Sequence, residues 1–234
     1  MSSGLFLYPK QAAFGRILPK TKIYEHAKPS RAVRERFVAE VSQIVWQYKL
    51  SPETVNLPAR SGVPEIQVFG VTLKSEELSE AVLRCIDKAI PFPIFYELTY
   101  GNRIRTTAAY KRPSESDAGK WIVDAYFETP WKAADVSREA LPVALDLAGL
   151  YEQLLRAHID LAPRDGESLR NQVERIGEIR IKEKECRKLE LRLQQEAQFN
   201  RKVELNQELR MLKNELNSLL GLTEDKELHT SWTN

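Results

Sequence analysis

The sequence lacks the features on which several classes of protein depend. Its two cysteines, Cys85 and Cys186, are too few for a disulfide framework and too far apart to suggest a metal site. No apolar run approaches the ~18 residues that cross a membrane, and the N-terminal segment lacks the apolar core of a secretory signal. These absences predict a soluble, cytoplasmic protein that does not interact with a membrane.

The motifs of nucleotide and metal sites are missing as well. The ten glycines are scattered, and neither GxGxxG nor GxxxxGKS/T occurs. The three histidines, His26, His158 and His229, lack the spacing of metal ligands. We therefore expect no cofactor, no bound metal and no catalytic residue that the sequence alone identifies.

The positive charge is concentrated at the N-terminal end. Residues 1–60 contain ten Lys or Arg against four Asp or Glu, although the whole chain has a formal charge of only +2. Basic side chains interleaved with aromatic rings are typical of surfaces that contact a phosphate backbone and stack on bases. An arm over an acidic partner, or a solvated surface, would have the same composition. The candidate nucleic-acid-binding residues are Lys20, Lys22, Lys28, Arg31 and Arg34.

Hydrophobic periodicity predicts an α+β domain over residues 1–163, with a mostly antiparallel sheet packed by helices. Residues 1–29 read as an irregular basic arm with short ordered pieces, and 50–65 as a loop. Helices are predicted from Ser30 to about Lys49, from the N-cap Ser75 to Pro91, and from Pro142 to Pro163. Strands are predicted at 65–74 and 121–129, with a β-hairpin around the turn Gly101-Asn102 between them.

The composition changes after Pro163. Residues 167–220 contain no proline and a single glycine, which predicts a long helical or coiled-coil segment over 164–222, before a flexible tail at 223–234. Its apolar stripe is discontinuous, so either one helix of roughly 80 Å or two helices folding back near residues 198–200 would fit.

Leucines on the last part of this segment form a narrow stripe with steps of four and three residues. Such a helix is not stable alone in water, so the stripe must contact another surface. A second copy of the chain, the other half of a helical hairpin and a different protein would each satisfy it. The candidate protein-interaction residues are Leu205, Leu209, Leu212, Leu216 and Leu219.

An enzymatic alternative rests on two acidic side chains and one lysine on predicted strands. A metal-dependent nuclease needs carboxylates to hold the ion and a lysine to position water. Glu65, Glu97 and Lys111 have the required chemistry, but the usual acid-x-lysine spacing is absent after Glu97. A nuclease-like module is therefore the second hypothesis.

Four stretches resemble an uncharacterised bacterial family, classed only as a domain of unknown function. They are KTKIYEHAKPS, IVWQYKLSPETVNL, CIDKAIPFPIFYELTYGNRIRTTAAYKR and QFNRKVELNQELRMLKNEL, in this order along most of the chain. Members of that family are typically encoded beside a restriction-type helicase and a DNA methyltransferase. The resemblance implies membership of a restriction-modification or antiphage system and supplies no catalytic residues.

These observations together favour a non-catalytic accessory subunit of a bacterial DNA-modification or antiphage defence complex. Its partners would be the helicase, the methyltransferase or both, with possible contact to DNA. The alternatives are the nuclease-like module and a plain structural homodimer joined through the C-terminal helix.

Overall fold

The computed structural model describes residues 4–60, 62–116 and 121–222 of the chain. It divides into two compact units, Met1–Asp160 and Leu161–Asn234, whereas the sequence-based boundary was residue 163. The predicted flexible tail at 223–234 lies outside the described residues.

The first unit contains nine strands and five α-helices within its described residues, together with a short 3-10 helix at Lys10–Ala12. The strands are β1 (Phe6–Leu7), β2 (Ala13–Ile17), β3 (Val41–Leu50), β4 (Ile66–Leu73), β5 (Ile94–Tyr100), β6 (Arg103–Pro113), β7 (Trp121–Glu128), β8 (Lys132–Ala133) and β9 (Glu139–Ala140). The helices are α1 (Lys20–Ala27), α2 (Arg31–Glu40), α3 (Pro52–Val55), α4 (Glu80–Ala89) and α5 (Leu147–Arg156).

The main sheet has the strand order β2-β3-β4-β5-β6-β7, and β8 pairs with β6. Adjacent strands of this sheet are antiparallel, except that β4 and β5 pair in parallel and are connected through α4. A separate two-stranded sheet joins β1 to β9. The predicted α+β fold with a mostly antiparallel sheet is confirmed.

The two faces of the sheet carry different helices. Because side chains alternate along a strand, Phe69 and Tyr96 lie on one face and Phe95 on the other. The first face packs against α1, α2 and α4 in the principal core cluster. On the second face, Phe95 contacts Tyr151 of α5, with the ring centroids 6.1 Å apart.

The β-hairpin is the most accurately predicted local feature. Strands β5 and β6 pair from Phe95↔Ala108 to Tyr100↔Arg103, with Gly101 at φ +56 in the turn. Glycine adopts this left-handed conformation without the steric penalty of a side chain, which explains the short connection.

The predicted helix from Ser30 to Lys49 is wrong in its second half. Ser30 does cap α2, where its hydroxyl accepts a hydrogen bond from Val33 N, but the helix ends at Glu40. The following segment is β3, which pairs with both β2 and β4. Its β-branched and aromatic residues favour a strand, and the ladders on both sides outweigh its helix-like apolar spacing.

Four smaller features also differ from the predictions. Helix α4 begins after Ser79 rather than Ser75, and α5 begins after Asp146, whose carboxylate accepts from Gly149 N, rather than at Pro142. The N-terminal arm is more ordered than predicted, since β2 forms an edge of the main sheet and α1 packs in its core. The predicted loop at 50–65 contains the short helix α3.

The second unit is a pair of helices, α6 (Leu169–Gln195) and α7 (Phe199–Leu220), that pack against each other. The chain reverses at residues 196–198, so the hairpin alternative is the one observed. The Lys213 ammonium lies 2.8 Å from the Glu190 carboxylate, and Lys182 pairs with Glu215 between the same helices. A helical segment is confirmed, whereas coiled-coil packing stays a prediction.

Two arginine side chains bind the end of the hairpin opposite the turn, where α6 begins and α7 ends. Arg164 and Arg175 donate hydrogen bonds to the terminal carbonyls of α7 at Ser218 and Leu219. Arg175 also donates twice to Glu167, at 2.7 Å each, and these hydrogen bonds lower the pKa of Glu167 to about 2.

Among the described residues, none of the helices combines the length and the apolar composition that a membrane span requires.

Candidate functional site

A concave site of about 300 Å³ lies in the first unit. It lies between α1, the middle of β3 and β4, and the C-terminal end of α4. This volume falls at the lower end of the range of small-molecule sites. The lining residues are Leu18, Lys22, Ile23, His26, Trp46, Glu65, Gln67, Phe69, Ala89, Ile90 and Phe92.

Aromatic side chains form much of the cavity wall. Trp46 is held by a hydrogen bond from its indole Nε1 to Tyr48 O at 3.2 Å, and its ring centroid lies 5.8 Å from that of Phe69. Phe92, which follows α4, contributes a third ring. Such walls suit a flat, largely apolar ligand.

A polar pair on β4 and its N-terminal flank interrupts this apolar lining. The fully buried Gln67 donates from Nε2 to Glu65 Oε1 at 2.7 Å, and the Lys49 ammonium lies 2.5 Å from Glu65 Oε2. A carboxylate can only accept hydrogen bonds, so the amide NH₂ of Gln67 must face Glu65. The Gln67 carbonyl oxygen is thereby left without a partner, which costs ~1–3 kcal/mol in a buried position.

Two titratable side chains of α1 lie where the cavity meets solvent. Lys22 and His26 are exposed and one helical turn apart, and both contribute to the lining. Lys22 also pairs with Glu25 at 2.9 Å. The cavity thus combines a largely apolar interior with basic groups at its opening, and one of its lining residues, Gln67, has a buried carbonyl oxygen without a partner.

The structure does not bring the predicted nuclease residues together. Glu65 lies on the cavity side, whereas Glu97 lies on the opposite face of the sheet from Tyr96. There both Glu97 oxygens accept from Arg138, at 2.6 and 2.7 Å, and these hydrogen bonds raise the pKa of the arginine. Glu97 is therefore engaged in a bidentate ion pair.

Lys111 is fully buried beneath the end of α4. Its ammonium donates to the carbonyls of Ile90 and Phe92, each at 2.7 Å, and lies 3.1 Å from the Asp87 carboxylate. Tyr126 donates to the other Asp87 oxygen. Burial lowers the pKa of Lys111 and raises that of Asp87, while their mutual attraction opposes both shifts. These contacts give Lys111 the role of a helix cap.

No group of three or more His, Cys, Asp or Glu side chains able to hold a metal ion occurs among residues 4–60, 62–116 and 121–222. This distribution agrees with the separation of Glu65 from Glu97 on the two faces of the sheet.

Three of the candidate nucleic-acid-binding residues lie at or just after the connection between α1 and α2. Lys28 ends α1 in a left-handed conformation at φ +50, and Arg31 and Arg34 lie on the first turns of α2. All three are exposed. Arg31 pairs with Glu35 at 2.7 Å, and the Arg34 guanidinium lies 5.4 Å from the Tyr24 ring.

The other two candidates have different surroundings. Lys20 donates to Phe37 O at 2.9 Å and to Val41 O at 2.5 Å, so it caps the end of α2, and desolvation lowers its pKa. Lys22 lines the cavity described above.

The candidate protein-interaction leucines divide into two sets. Leu205 and Leu209 are buried, where they pack with Cys186 and Leu189 of α6. Leu212 and Leu216 are partly buried beside that cluster, and Leu219 is also partly exposed. The first two leucines of the stripe are therefore covered by α6, whereas the last three keep part of their apolar surface exposed.

A groove of about 410 Å³ runs between the two helices. Its apolar lining consists of Leu189, Leu212 and the 66% exposed Met211. Charged side chains of both signs surround these groups: Glu185, Lys188, Arg192, Glu208 and Glu215.

Sequence reasoning missed the role of Trp46, because it placed this residue on a helix. The run IVWQY, rich in β-branched and aromatic residues, was the signal for a strand. The partners Asp87 and Arg138 had no local signal, since each meets its ion-pair partner from a distant part of the chain.

The fold and these surfaces define a protein of two units. The first is an α+β domain with a small cavity, and the second is a charged helical hairpin. The chain belongs to the DUF4391 family, a domain of unknown function, which matches residues 6–216. This result confirms the resemblance to an uncharacterised family. No curated protein matches the chain significantly, and no solved structure does.

Proposed function

We propose that this protein is a non-catalytic accessory subunit of a bacterial DNA-modification or antiphage defence complex. The resemblance noted in the sequence implies a restriction-type helicase and a DNA methyltransferase as neighbours. In this proposal the helical hairpin binds one of these enzymes, and the exposed basic residues at the α1–α2 connection contact DNA.

The observation that carries the proposal is the incompletely covered apolar stripe of the hairpin. Leu205 and Leu209 already stabilise α7 against α6, whereas Met211 and Leu212 line an open groove. An amphipathic helix of a partner enzyme would complete this surface, with its apolar side in the groove and its charges against the mixed-charge rim. Burial of each large apolar side chain contributes ~1.5–3 kcal/mol. Several such contacts are needed to offset the loss of translational and rotational freedom on assembly.

The enzymatic alternative has weaker support. Glu97 and Lys111 are each engaged in a structural ion pair and lie on different faces of the sheet from one another. An accessory role requires neither residue to be free.

The test is tagged purification of the full chain from its native host, followed by mass spectrometry and light scattering. We expect the helicase or the methyltransferase at fixed stoichiometry. Replacing Met211 and Leu212 together by Asp should abolish this recovery, because charges would then occupy the apolar part of the groove.

The matched control is the pair Phe199→Asp and Val203→Asp. These residues are also exposed on α7 but are absent from the groove lining, so the control should keep the partner. Circular dichroism should show that the helices are retained in both variants. Recovery of the protein alone would contradict the proposal, and a dimer by light scattering would favour the homodimer alternative.

A further inference from the structure

We propose that the cavity beside Trp46 and Gln67 binds a nucleobase that carries an exocyclic amino group. This inference goes beyond assembly through the hairpin and does not depend on it. It rests on the shape of the cavity, its aromatic walls, and the unpartnered acceptor of Gln67.

The walls fit a flat heterocycle. Trp46, Phe69 and Phe92 contribute rings to a cavity of about 300 Å³, which can enclose a single base. Trp46 does not need to be ordered on binding, because its indole is already fixed by Tyr48 O and by contacts with Phe14 and Phe69. Stacking on such a ring contributes ~1–3 kcal/mol per base.

The polar pair selects a hydrogen-bond donor. Glu65 and Lys49 fix the orientation of the Gln67 amide, so its carbonyl oxygen is a buried acceptor with no protein donor. Because this oxygen is fully buried, a small shift of the Gln67 side chain into the cavity is needed for a ligand to reach it. An amino group on the ligand would then satisfy the oxygen, whereas a carbonyl in the same position would face another acceptor. Adenine and cytosine present such an amino group, and their oxo counterparts do not.

The opening favours a ligand with a negative substituent. Lys22 and His26 lie at the solvent side of the lining, and the surrounding N-terminal segment is basic. A phosphate attached to the sugar of the base would lie near these groups. Such a base can come from a free nucleotide or from an unpaired position in a nucleic-acid strand.

Calorimetric titration of the full chain tests the proposal. The probes are AMP, IMP and a short oligonucleotide with one unpaired adenine, alongside the same oligonucleotide with hypoxanthine there. We expect AMP or the adenine oligonucleotide to bind, and the matching oxo ligand to bind more weakly by on the order of tenfold or more. Binding of AMP would indicate a free nucleotide as the source, and binding of the oligonucleotide alone an unpaired base.

Two variants separate the cavity from other binding surfaces. Ala89→Phe fills the space from the end of α4 and should abolish binding, whereas Ala39→Phe adds the same volume at an exposed position of α2 and should not. Gln67→Leu should reduce the preference for the amino base to less than about threefold, because the acceptor is lost.

Several results would overturn the proposal. They are the absence of binding by every probe, equal affinity for amino and oxo bases, and unchanged affinity in a folded Ala89→Phe variant. If no probe bound but Ala89→Phe lowered recovery of the helicase or methyltransferase, the cavity would hold a side chain of that enzyme instead. We expect the variant with Met211→Asp and Leu212→Asp to bind the probes as the unaltered chain does, because neither residue lines the cavity. Failure of the assembly proposal can therefore be distinguished from failure of the nucleobase proposal.

Discussion

At the scale of single residues, buried charges hold distant elements together. Lys111 on β6 satisfies carbonyls at the end of α4 and pairs with Asp87 inside the core. Removing one member of a buried ion pair leaves the other charge uncompensated, which is more costly than replacing both.

We therefore expect Lys111→Met to lower the free energy of unfolding by ~3–5 kcal/mol, as measured by urea denaturation. The double variant Lys111→Met with Asp87→Leu should recover a large part of that loss. Arg112→Met is the matched control, since its pair with Asp124 is partly exposed and should change stability by ~1 kcal/mol or less. A single variant as stable as the double would contradict this account.

His158 makes the stability of the first unit depend on pH. Its Nδ1–H donates to Leu154 O at 2.8 Å, and its buried Nε2 has no partner. Burial lowers the pKa of His158 from 6.5 to about 4. The folded state thus keeps the imidazole neutral where the unfolded chain binds a proton.

Above pH 6.5 the imidazole is neutral in both states, and the free energy of unfolding has its full value. As the pH falls from 6.5 to 4, the unfolded chain binds the proton more readily, and the free energy of unfolding decreases by about 3 kcal/mol in total. Below pH 4 the group causes no further loss. Urea unfolding at pH 7, 6, 5 and 4 should show the decrease, and His158→Leu should flatten it. An identical pH dependence in both proteins would show that another group is responsible.

At the scale of elements, the hairpin depends on its internal leucines. Leu205 is 3% exposed and packs with Cys186 and Leu189 of α6. Leu205→Ala should destabilise the packing of α7 by ~2–5 kcal/mol, because it removes buried methyl groups and leaves a cavity.

Hydrogen exchange of the α7 amides is the appropriate measurement, since it reports local opening. Met211→Ala is the control, because this side chain is 66% exposed and its loss should change protection by less than about 0.5 kcal/mol. Equal protection in the two variants would mean that Leu205 does not hold the helices together.

At the scale of the whole molecule, the uneven charge distribution predicts salt-sensitive binding to DNA. The residues to test are the exposed Lys28, Arg31 and Arg34 at the α1–α2 connection. Replacing all three by Glu should weaken binding and reduce the slope of log K against log salt by about 0.9 for each duplex phosphate contact removed.

Charge reversal at Lys184, Arg187 and Lys188, which are exposed on α6, is the control for total charge. It should leave the slope nearly unchanged in a fluorescence-anisotropy titration. The absence of any binding to duplex or single strands at low salt would rule out the DNA contact.

The fold class was predictable from sequence because short-range patterns dominate it. The two-residue turn at Gly101 and the flanking alternation specify the β-hairpin, and the proline-free segment after Pro163 specifies helices. The strand β3 was not predictable in the same way. Its apolar spacing fits a helix, whereas its β-branched and aromatic residues favour a strand, and the pairing with β2 and β4 decides between the two.

The sequence by itself determined the α+β class, the helical C-terminal segment and the identity of the apolar stripe on α7, because these follow from local propensity and periodicity. Only the tertiary structure decided that Leu205 and Leu209 are covered by α6, that Glu97 and Lys111 are engaged in separate ion pairs, and that Trp46 and Gln67 share a cavity. The physical reason is that each of these contacts joins residues far apart in the chain. Their geometry depends on strand pairing and helix packing, which no local pattern encodes.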